Sequence, residues 1–127
     1  MRALIVDDSR FIRQYTRQLL EGMGLNCEEA NDGRQALDLL AQPMPTDYFD
    51  YMLLDVNMPV MNGLECVKQL REAGLQPPMK VMMVTTEADN SFITRALEFG
   101  ADEFLMKPFT PQSLREKLQL VGFDLAA

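Results

Sequence analysis

Five residues with chemically useful side chains come at or just after the ends of short apolar runs. They are a pair of aspartates, a third aspartate, a threonine and a lysine: Asp7, Asp8, Asp55, Thr85 and Lys107. Three carboxylates gathered within a few ångströms repel one another by about 1 kcal/mol per pair in water and about 4 kcal/mol at an effective dielectric constant near 20. Such a cluster requires a cation. Carboxylate ligands without nitrogen or sulfur suit a hard ion, and a small number of protein ligands favours Mg²⁺ over Ca²⁺.

A lysine and a hydroxyl beside the same metal are the groups that a transferred phosphoryl group requires, because its equatorial oxygens need charge neutralisation and hydrogen bonds. In such a site a carboxylate oxygen of Asp55 is the candidate nucleophile, and the product is an acyl phosphate. Taken singly, Asp55 is typical of a turn residue, Thr85 of a strand residue and Lys107 of a surface charge. Only their joint pattern favours the chemical interpretation.

Five apolar runs of strand type alternate with five segments of helical period. We predict strands at residues 3–6, 26–30, 51–55, 79–84 and 104–106. This alternation predicts right-handed crossovers and an α/β fold, with a mostly parallel sheet and helices on both faces. Because parallel strands point the same way, the strand ends that carry the chemical side chains should meet at one edge, where open α/β sheets bind ligands.

Capping residues and helical spacing delimit the five predicted helices. Their predicted starts are Ser9 and Asp32 as N-caps, Asn62 or Gly63 for the third helix, and Pro111 in the first turn of the last. Their predicted inward faces are Ile12, Tyr15, Leu19 and Met23; Ala36, Leu37 and Leu40; Leu64, Val67 and Leu70; Ile93, Ala96 and Leu97; and Leu114, Leu118 and Val121. Two prolines predict a loop over residues 42–47.

Composition narrows the class of protein. With 127 residues, 47% of them hydrophobic and 24% charged, the chain is expected to form one folded domain over residues 1–127. The net charge of -7 argues against nucleic acid or an anionic membrane as a partner. Neither a signal peptide nor a membrane-spanning run is recognisable, so we expect a cytoplasmic protein. Cys27 and Cys66 are expected in the core, and the absence of histidine excludes imidazole catalysis by this chain alone.

Four stretches of the chain resemble the receiver domains of two-component response regulators, most closely the stand-alone chemotaxis (CheY-like) type. They are L-I-V-D-D-S, L-L-D-V-N-M-P-V-M-N-G-L-E, V-M-M-V-T-T-E and G-A-D-E-F-L-M-K-P-F-T. The resemblance covers essentially the whole chain. It implies a single receiver domain with the flavodoxin-like doubly wound fold, in which a five-stranded parallel sheet of order 2-1-3-4-5 is flanked by five helices.

The resemblance also implies a role for each residue of the site. Asp55 would be the phosphoacceptor and a metal ligand, Asp8 a direct Mg²⁺ ligand, and Asp7 a ligand through water. Asn57 would supply its backbone carbonyl to the metal, and Mn²⁺ would be able to take the place of Mg²⁺. The remaining implied features are contacts of Thr85 and Lys107 with the phosphoryl oxygens and a cis peptide bond between Lys107 and Pro108.

As a receiver, the domain would take its phosphoryl group from a sensor histidine kinase and pass the signal to a downstream protein. Phosphorylation would draw Thr85 toward the phosphoryl group and let the aromatic switch residue Phe104 turn. This change would be a shift from an inactive to an active population, for which the phosphoryl contacts must favour the active state by several kcal/mol. The partner surface implied by the family is the face of the fourth and fifth helices and last strand, here Phe92, Arg95, Phe99, Phe104 and Lys117. The domain is expected to be a monomer or a weak phosphorylation-dependent dimer.

Three residues are expected to adjust the lifetime of the acyl phosphate: Asn57, Thr86 and Glu87. Thr86 is bulkier than the alanine or glycine often found at its place in the family, and it should restrict the approach of water. We therefore expect slower autodephosphorylation than in the Thr86→Ala variant. The direction of the effect of Asn57 and Glu87 is not set by the sequence.

Other functions fit parts of the pattern. An aspartyl-phosphate phosphatase of haloacid-dehalogenase type shares the chemistry, but it places its nucleophile in D-x-D after the first strand, and the chain has D-D-S there. A flavin-binding protein of the same topology would meet two repelling carboxylates at its phosphate site. A receiver that binds partners without phosphorylation would not need every chemical position. We expect a signalling switch that catalyses only its own phosphorylation and dephosphorylation, with output through protein contacts, since no effector domain follows the last helix.

Overall fold

The computed structural model of the chain describes residues 1–42, 49–86 and 90–124, and for residues 90–92 the backbone alone. Five strands alternate with five helices. In chain order these are β1 (Arg2–Val6), α1 (Arg10–Gly22), β2 (Asn26–Ala30), α2 (Gly33–Leu40), β3 (Tyr51–Asp55), α3 (Gly63–Glu72), β4 (Lys80–Thr85), α4 (Asn90–Glu98), β5 (Glu103–Met106) and α5 (Pro111–Leu120). The predicted bounds are correct to within two residues for every strand.

All neighbouring strands are parallel, and their order across the sheet is β2-β1-β3-β4-β5. The predicted fold class and strand order are therefore confirmed. The register pairs Val6 with Leu54, Asp55 with Val84, and Thr85 with Met106, so the carboxyl ends of the central strands lie side by side.

Two hydrophobic clusters cover the two faces of the sheet, because side chains alternate along each strand. One cluster joins Leu4, Leu54 and Met83 to the buried residues of α2, α3 and α4. The other joins Ile5 and Leu53 to the buried residues of α1 and α5. Both faces of the central strands are therefore apolar, as expected of parallel strands covered by helices.

The helix starts follow the predicted capping residues. Ser9 accepts a hydrogen bond from the Ile12 amide at 3.3 Å, and Asp32 accepts one from the Gln35 amide at 2.8 Å. Asn62 is the N-cap of α3, and a capping box at Thr110 precedes Pro111. These caps satisfy amide groups that a helix start leaves without partners.

Two of the predicted inward faces need correction. Leu97 is 49% exposed, so the prediction that it faces the core is wrong; Ala96 carries the buried side of α4, with Ile93 half-buried. In α1 the predicted Ile12 stripe is only half-buried, and the fully buried residues, Thr16 and Leu20, lie one position further along. Thr16 tolerates burial because its hydroxyl donates to the Ile12 carbonyl at 2.8 Å within the helix.

A charged network fastens the amino-terminal ends of β4 and β5 to α3. Arg71 donates hydrogen bonds to the carbonyls of Gly100 and Met79, each at 3.0 Å, and to the carboxylate of Asp102 at 3.1 Å. Asp102 in turn accepts a hydrogen bond from the Val81 amide at 2.8 Å. The Arg71 network therefore connects three elements at the edge of the sheet opposite to Asp55.

Residues 43–47 of the predicted loop lie outside the described residues. None of the helices in the described ranges has the length and apolarity needed to cross a bilayer.

Candidate functional site

The carboxyl edge of the sheet brings together side chains from three strands. Asp55 is the last residue of β3, Asp7 follows β1 directly, and Lys107 follows β5 directly. Side-chain alternation assigns these three residues to the α1 and α5 face, because Leu53, Ile5 and Leu105 two positions earlier lie in that cluster. Both Asp7 and Asp55 are buried.

Lys107 is the centre of the ion pairs at this edge. Its Nζ lies 2.8 Å from Asp7 Oδ2 and 3.1 Å from Asp55 Oδ1. Asp7 Oδ1 also accepts a hydrogen bond from the Ser9 amide at 2.8 Å. The peptide bond between Lys107 and Pro108 is cis, as the resemblance to receiver domains implies. The proximity that the sequence predicts for these groups is therefore present.

Three carboxylates form a group that fits a divalent cation. One oxygen from each of Asp7, Asp8 and Asp55 lies within 4.8 Å of the others, with Asp8 on the exposed side. When all three are ionised, the single ammonium of Lys107 leaves two negative charges in the group. An all-oxygen donor set with this charge suits Mg²⁺ or Mn²⁺. The predicted ion would therefore lie between solvent and the buried Asp55 carboxylate.

The electrostatics of the site favour bound positive charge. Burial and the charge of Asp7 raise the pKa of Asp55 above its ordinary value, and the charge and hydrogen bond of Lys107 offset this only in part. For Lys107, burial lowers the pKa, but the hydrogen bond to Asp7 and the charge of Asp55 outweigh burial and leave the pKa raised. The lysine therefore stays an ammonium ion, and a further cation would stabilise the Asp55 carboxylate.

A glycine brings α3 against the backbone of the central strand. A Cβ atom at Gly63 would overlap the Asp55 carbonyl oxygen and lie 2.9 Å from Val56 Cα. The Gly63 amide also donates to the Val56 carbonyl at 2.9 Å. The N-terminus of α3 can therefore approach the site this closely only because residue 63 has no side chain.

The two threonines differ in exposure. Thr85 ends β4 and is fully buried, whereas Thr86 is exposed. Alternation assigns Thr85 to the face of Met83 and Phe104, opposite to that of Asp55. Asn57 is exposed two residues after Asp55, and Glu87 lies outside the described residues. The roles expected for these residues stay predictions.

Phe104 is held between a charged pair and the core. It is half-buried in β5 and packs against the α2, α3 and α4 cluster. Lys117 Nζ lies 4.5 Å from the centroid of the Phe104 ring and 3.3 Å from Glu103 Oε1. Glu103 Oε1 also accepts the Phe104 amide at 3.0 Å. The sequence did not single out Glu103, because a glutamate before a strand is usually a solvated charge.

The predicted partner surface is only partly assembled by these contacts. Lys117 contacts Phe104, and the Arg95 guanidinium lies 5.9 Å from the Phe99 ring. Phe99 is half-buried and also lies 5.4 Å from Lys68 Nζ. The Phe92 side chain lies outside the described residues. Two exposed leucines of the same helices, Leu97 and Leu120, were not among the predicted surface residues.

An apolar cleft of about 460 Å³ opens beside Lys107, a feature that the sequence did not indicate. Its lining consists of Phe11, Ile12, Tyr15, Thr86, Lys107, Pro108 and Phe109. Phe11 is 75% exposed, and Tyr15 packs on Phe109 with ring centroids 5.7 Å apart. Lys107 is therefore bordered by the carboxylates of Asp7 and Asp55 on one side and by an apolar surface on the other.

Comparisons with known proteins agree with this arrangement. The sequence matches the response regulator receiver domain family over residues 3–119. It is 39% identical over 120 residues to a chemotaxis protein CheY homolog of Campylobacter jejuni, covering 94% of this chain and 90% of that protein. The solved structure of chemotaxis protein CheY4 of Vibrio cholerae superposes with a TM-score of 0.85 at 38% identity, over 94% of this chain and 97% of that one.

A more distant solved structure is similar in fold. It is a response regulator of Burkholderia pseudomallei with a phosphorylated aspartic acid, a calcium ion and citrate, and it superposes with a TM-score of 0.81 at 25% identity. The similarity covers 93% of this chain and 66% of that chain. Since the family match spans nearly the whole sequence and the strand order is the one implied by the motifs, the chain belongs to the response-regulator receiver family of two-component signalling and is CheY-like.

Proposed function

We propose that this receiver domain is a phosphorylation switch in which Asp55 accepts a phosphoryl group from a histidine kinase. The observation that carries the proposal is the buried Asp55 carboxylate, 3.1 Å from the Lys107 ammonium and clustered with Asp7 and Asp8 at the sheet edge. The donor histidine must lie outside residues 1–127, because this sequence contains no histidine. The phosphorylated aspartic acid in the Burkholderia pseudomallei neighbour supports the same chemistry here.

In the proposed reaction a carboxylate oxygen of Asp55 attacks the phosphorus atom of a phosphohistidine. The new oxygen to phosphorus bond forms as the phosphorus to nitrogen bond breaks, and the imidazole leaves with its electron pair. Lys107 balances charge on the phosphoryl oxygens. Thr85, which ends β4 on the opposite face of the sheet, would have to move toward these oxygens before it could donate a hydrogen bond to one of them. Asp8, Asp55 and the Asn57 carbonyl would hold Mg²⁺, with Asp7 binding it through water. An ion held there would supply positive charge to neutralise the negative charge that develops on the phosphoryl group.

The output follows from the added charge. A phosphoryl group replaces one negative charge by nearly two and adds three acceptor oxygens. Movement of Thr85 toward these oxygens would release space near Phe104 and change the face of α4, β5 and α5, including Arg95, Phe99 and Lys117. We propose that this face binds a downstream protein. We further propose that residues 1–127 act as one cytoplasmic receiver domain, as a monomer or a weak phosphorylation-dependent dimer.

The decisive experiment measures phosphoryl transfer to a single side chain. The protein is incubated with acetyl phosphate and Mg²⁺, and intact mass spectrometry should find one phosphoryl group per chain. Asp55→Asn should abolish labelling, whereas Asp38→Asn, at an exposed position in α2, should not change it. Labelling of Asp55→Asn to the same extent would contradict the proposal.

The same preparation separates a switch from a phosphatase. A receiver is labelled stoichiometrically and then decays, whereas a phosphatase hydrolyses an excess of phosphomonoester. Repeated turnover of a phosphomonoester that depends on Asp55 would replace the proposed function by the enzymatic one. Output is tested by listing proteins captured by the beryllofluoride-treated domain, with Asp55→Asn as the control that should capture none of them.

A further inference from the structure

Arg13 connects the metal-site loop to the neighbouring strand. It lies one turn into α1, and its side chain is only 15% exposed. Its Nη1 donates to the backbone carbonyl of Asp7 at 2.6 Å, and its Nε donates to Glu29 Oε1 at 3.0 Å. Glu29 belongs to β2, beside the strand that ends before Asp7. The guanidinium thus joins α1, β2 and the loop that carries two of the three clustered carboxylates.

The contact with the Asp7 carbonyl fixes the orientation of one particular peptide group. A trans peptide is planar, so holding the Asp7 carbonyl also sets the direction of the Asp8 amide and the path of the chain into Asp8. On the other side, the Asp7 amide donates to the Ala30 carbonyl at 3.2 Å. The backbone of Asp7 is therefore held on both sides, by a strand neighbour and by Arg13.

We propose that Arg13 is a positioning residue that sets the divalent-cation affinity of the site by holding Asp7 and Asp8 in place, with Glu29 aiming its guanidinium. This inference rests on the proposed function, because it concerns the Mg²⁺ that the carboxylates would bind. Arginine suits this position because its planar fork donates in two directions at once. Outer-sphere partners of this kind orient the groups that bind a metal.

Arg17 provides a matched control from the same helix. It lies one turn after Arg13, and its Nε is 3.1 Å from Glu29 Oε2. Its Nη2 donates to the Cys27 carbonyl at 2.6 Å, a backbone group of β2. Arg17 therefore has the same charge as Arg13 and pairs with the same glutamate, and it likewise donates to a backbone carbonyl. Its ion pair and its hydrogen bond both run to β2 instead of the Asp7 loop.

The test compares Mg²⁺ binding to the unphosphorylated proteins by isothermal titration calorimetry, with urea unfolding as a parallel measurement. We expect Arg13→Gln to weaken Mg²⁺ binding about tenfold, in the range typical of lost outer-sphere partners. Arg17→Gln should leave the dissociation constant close to that of the wild type. Arg13→Lys, which keeps the charge but has one donor group to share, should give an intermediate affinity and serves if Arg13→Gln does not fold.

Three outcomes of this experiment would contradict the inference, and each has a different meaning. Equal Mg²⁺ affinities for the Arg13 and Arg17 variants would overturn the positioning role while leaving the proposed function intact. An unaltered wild-type protein that binds no Mg²⁺ would overturn both. A loss of affinity that follows unfolding stability across all variants would make Arg13 a purely structural residue and would also overturn the inference.

Discussion

Replacing Asp55 by asparagine should raise the thermal stability of the metal-free protein. The substitution keeps the size and shape of the side chain and removes one negative charge from the cluster of three carboxylates. Lys107 keeps its closer partner, because its contact with Asp7 at 2.8 Å does not involve residue 55. A residue proposed to be essential for signalling is therefore expected to reduce the stability of its own fold when no cation is bound.

The magnitude follows from distances in the site. With carboxylate oxygens within 4.8 Å of one another, Asp55 and each neighbour repel by about 3.5 kcal/mol at an effective dielectric constant of about 20. Lys107, at 3.1 Å, attracts Asp55 by about 5 kcal/mol on the same scale. Solvent screens exposed Asp8, while burial adds a cost for the charged carboxylate, so the balance is on the order of 1–2 kcal/mol unfavourable.

The assay is thermal unfolding in buffer containing a chelator, followed by circular dichroism. A stabilisation of this size corresponds to an increase of about 3–8 °C in Tm for a chain of this length. Asp38→Asn is the control, because it changes the net charge equally at an exposed position in α2. Added Mg²⁺ should raise the Tm of the wild type by mass action and that of Asp55→Asn by less.

The pH dependence has a definite sign. Because the pKa of Asp55 is raised on folding, the folded protein holds this proton at a pH where the unfolded chain has lost it, with burial and Asp7 as the main causes. Wild-type stability should therefore fall as the pH rises from the ordinary value of 3.8 through the raised one. The advantage of Asp55→Asn should be complete above that interval and absent below it. A variant that melts at or below the wild type in chelator at neutral pH would refute this reasoning.

Two further substitutions test the surroundings of Asp55. Gly63→Ala should destabilise the fold by about 1–3 kcal/mol in urea unfolding, because the added Cβ would overlap the Asp55 carbonyl. Gly22→Ala is the control: its Cβ would meet open space, and it should stabilise the fold by about 0.5–1 kcal/mol. Equal effects of the two substitutions would contradict the close approach of α3 to Asp55. Thr86→Ala should speed autodephosphorylation several-fold by opening the approach of water, measured as phosphate release with Mg²⁺; decay as slow as that of the wild type, or slower, would exclude this role for Thr86.

The fold was predictable because its signals are local. The hydrophobic period of neighbouring residues locates the strands, and capping residues locate the helix starts. The strand ends that carry the site then meet at one edge because the strands are parallel. Asp55 and Lys107 could thus be placed together although they are far apart in sequence. The error at Leu97 has a local cause as well. On a short helix, the helical period does not decide whether Leu97 lies on the buried side with Ala96 or on the neighbouring exposed side.

The contacts of long polar side chains were not predictable. Arg13 reaching the Asp7 carbonyl, Arg71 reaching Asp102, and Glu103 joining Lys117 to Phe104 all depend on which backbone carbonyls and charges the assembled elements leave within reach. Arginine and lysine have many rotamers of similar energy, so the sequence alone does not select a partner. A basic residue one turn after an Asp-Asp pair is the only sequence signal that could have pointed to Arg13.

The Arg71 network gives β4 and β5 a fixed base. The Arg71 guanidinium and the Asp102 carboxylate together hold the backbone of Met79, Val81 and Gly100. Thr85 lies at the other end of β4, about 13 Å from Val81 at the usual rise per residue. A strand that is held at one end moves most at its other end, because small changes in each residue add up along the strand. We therefore expect any backbone movement of β4 at the Asp55 edge to be largest near Thr85 and smallest beside the Arg71 network.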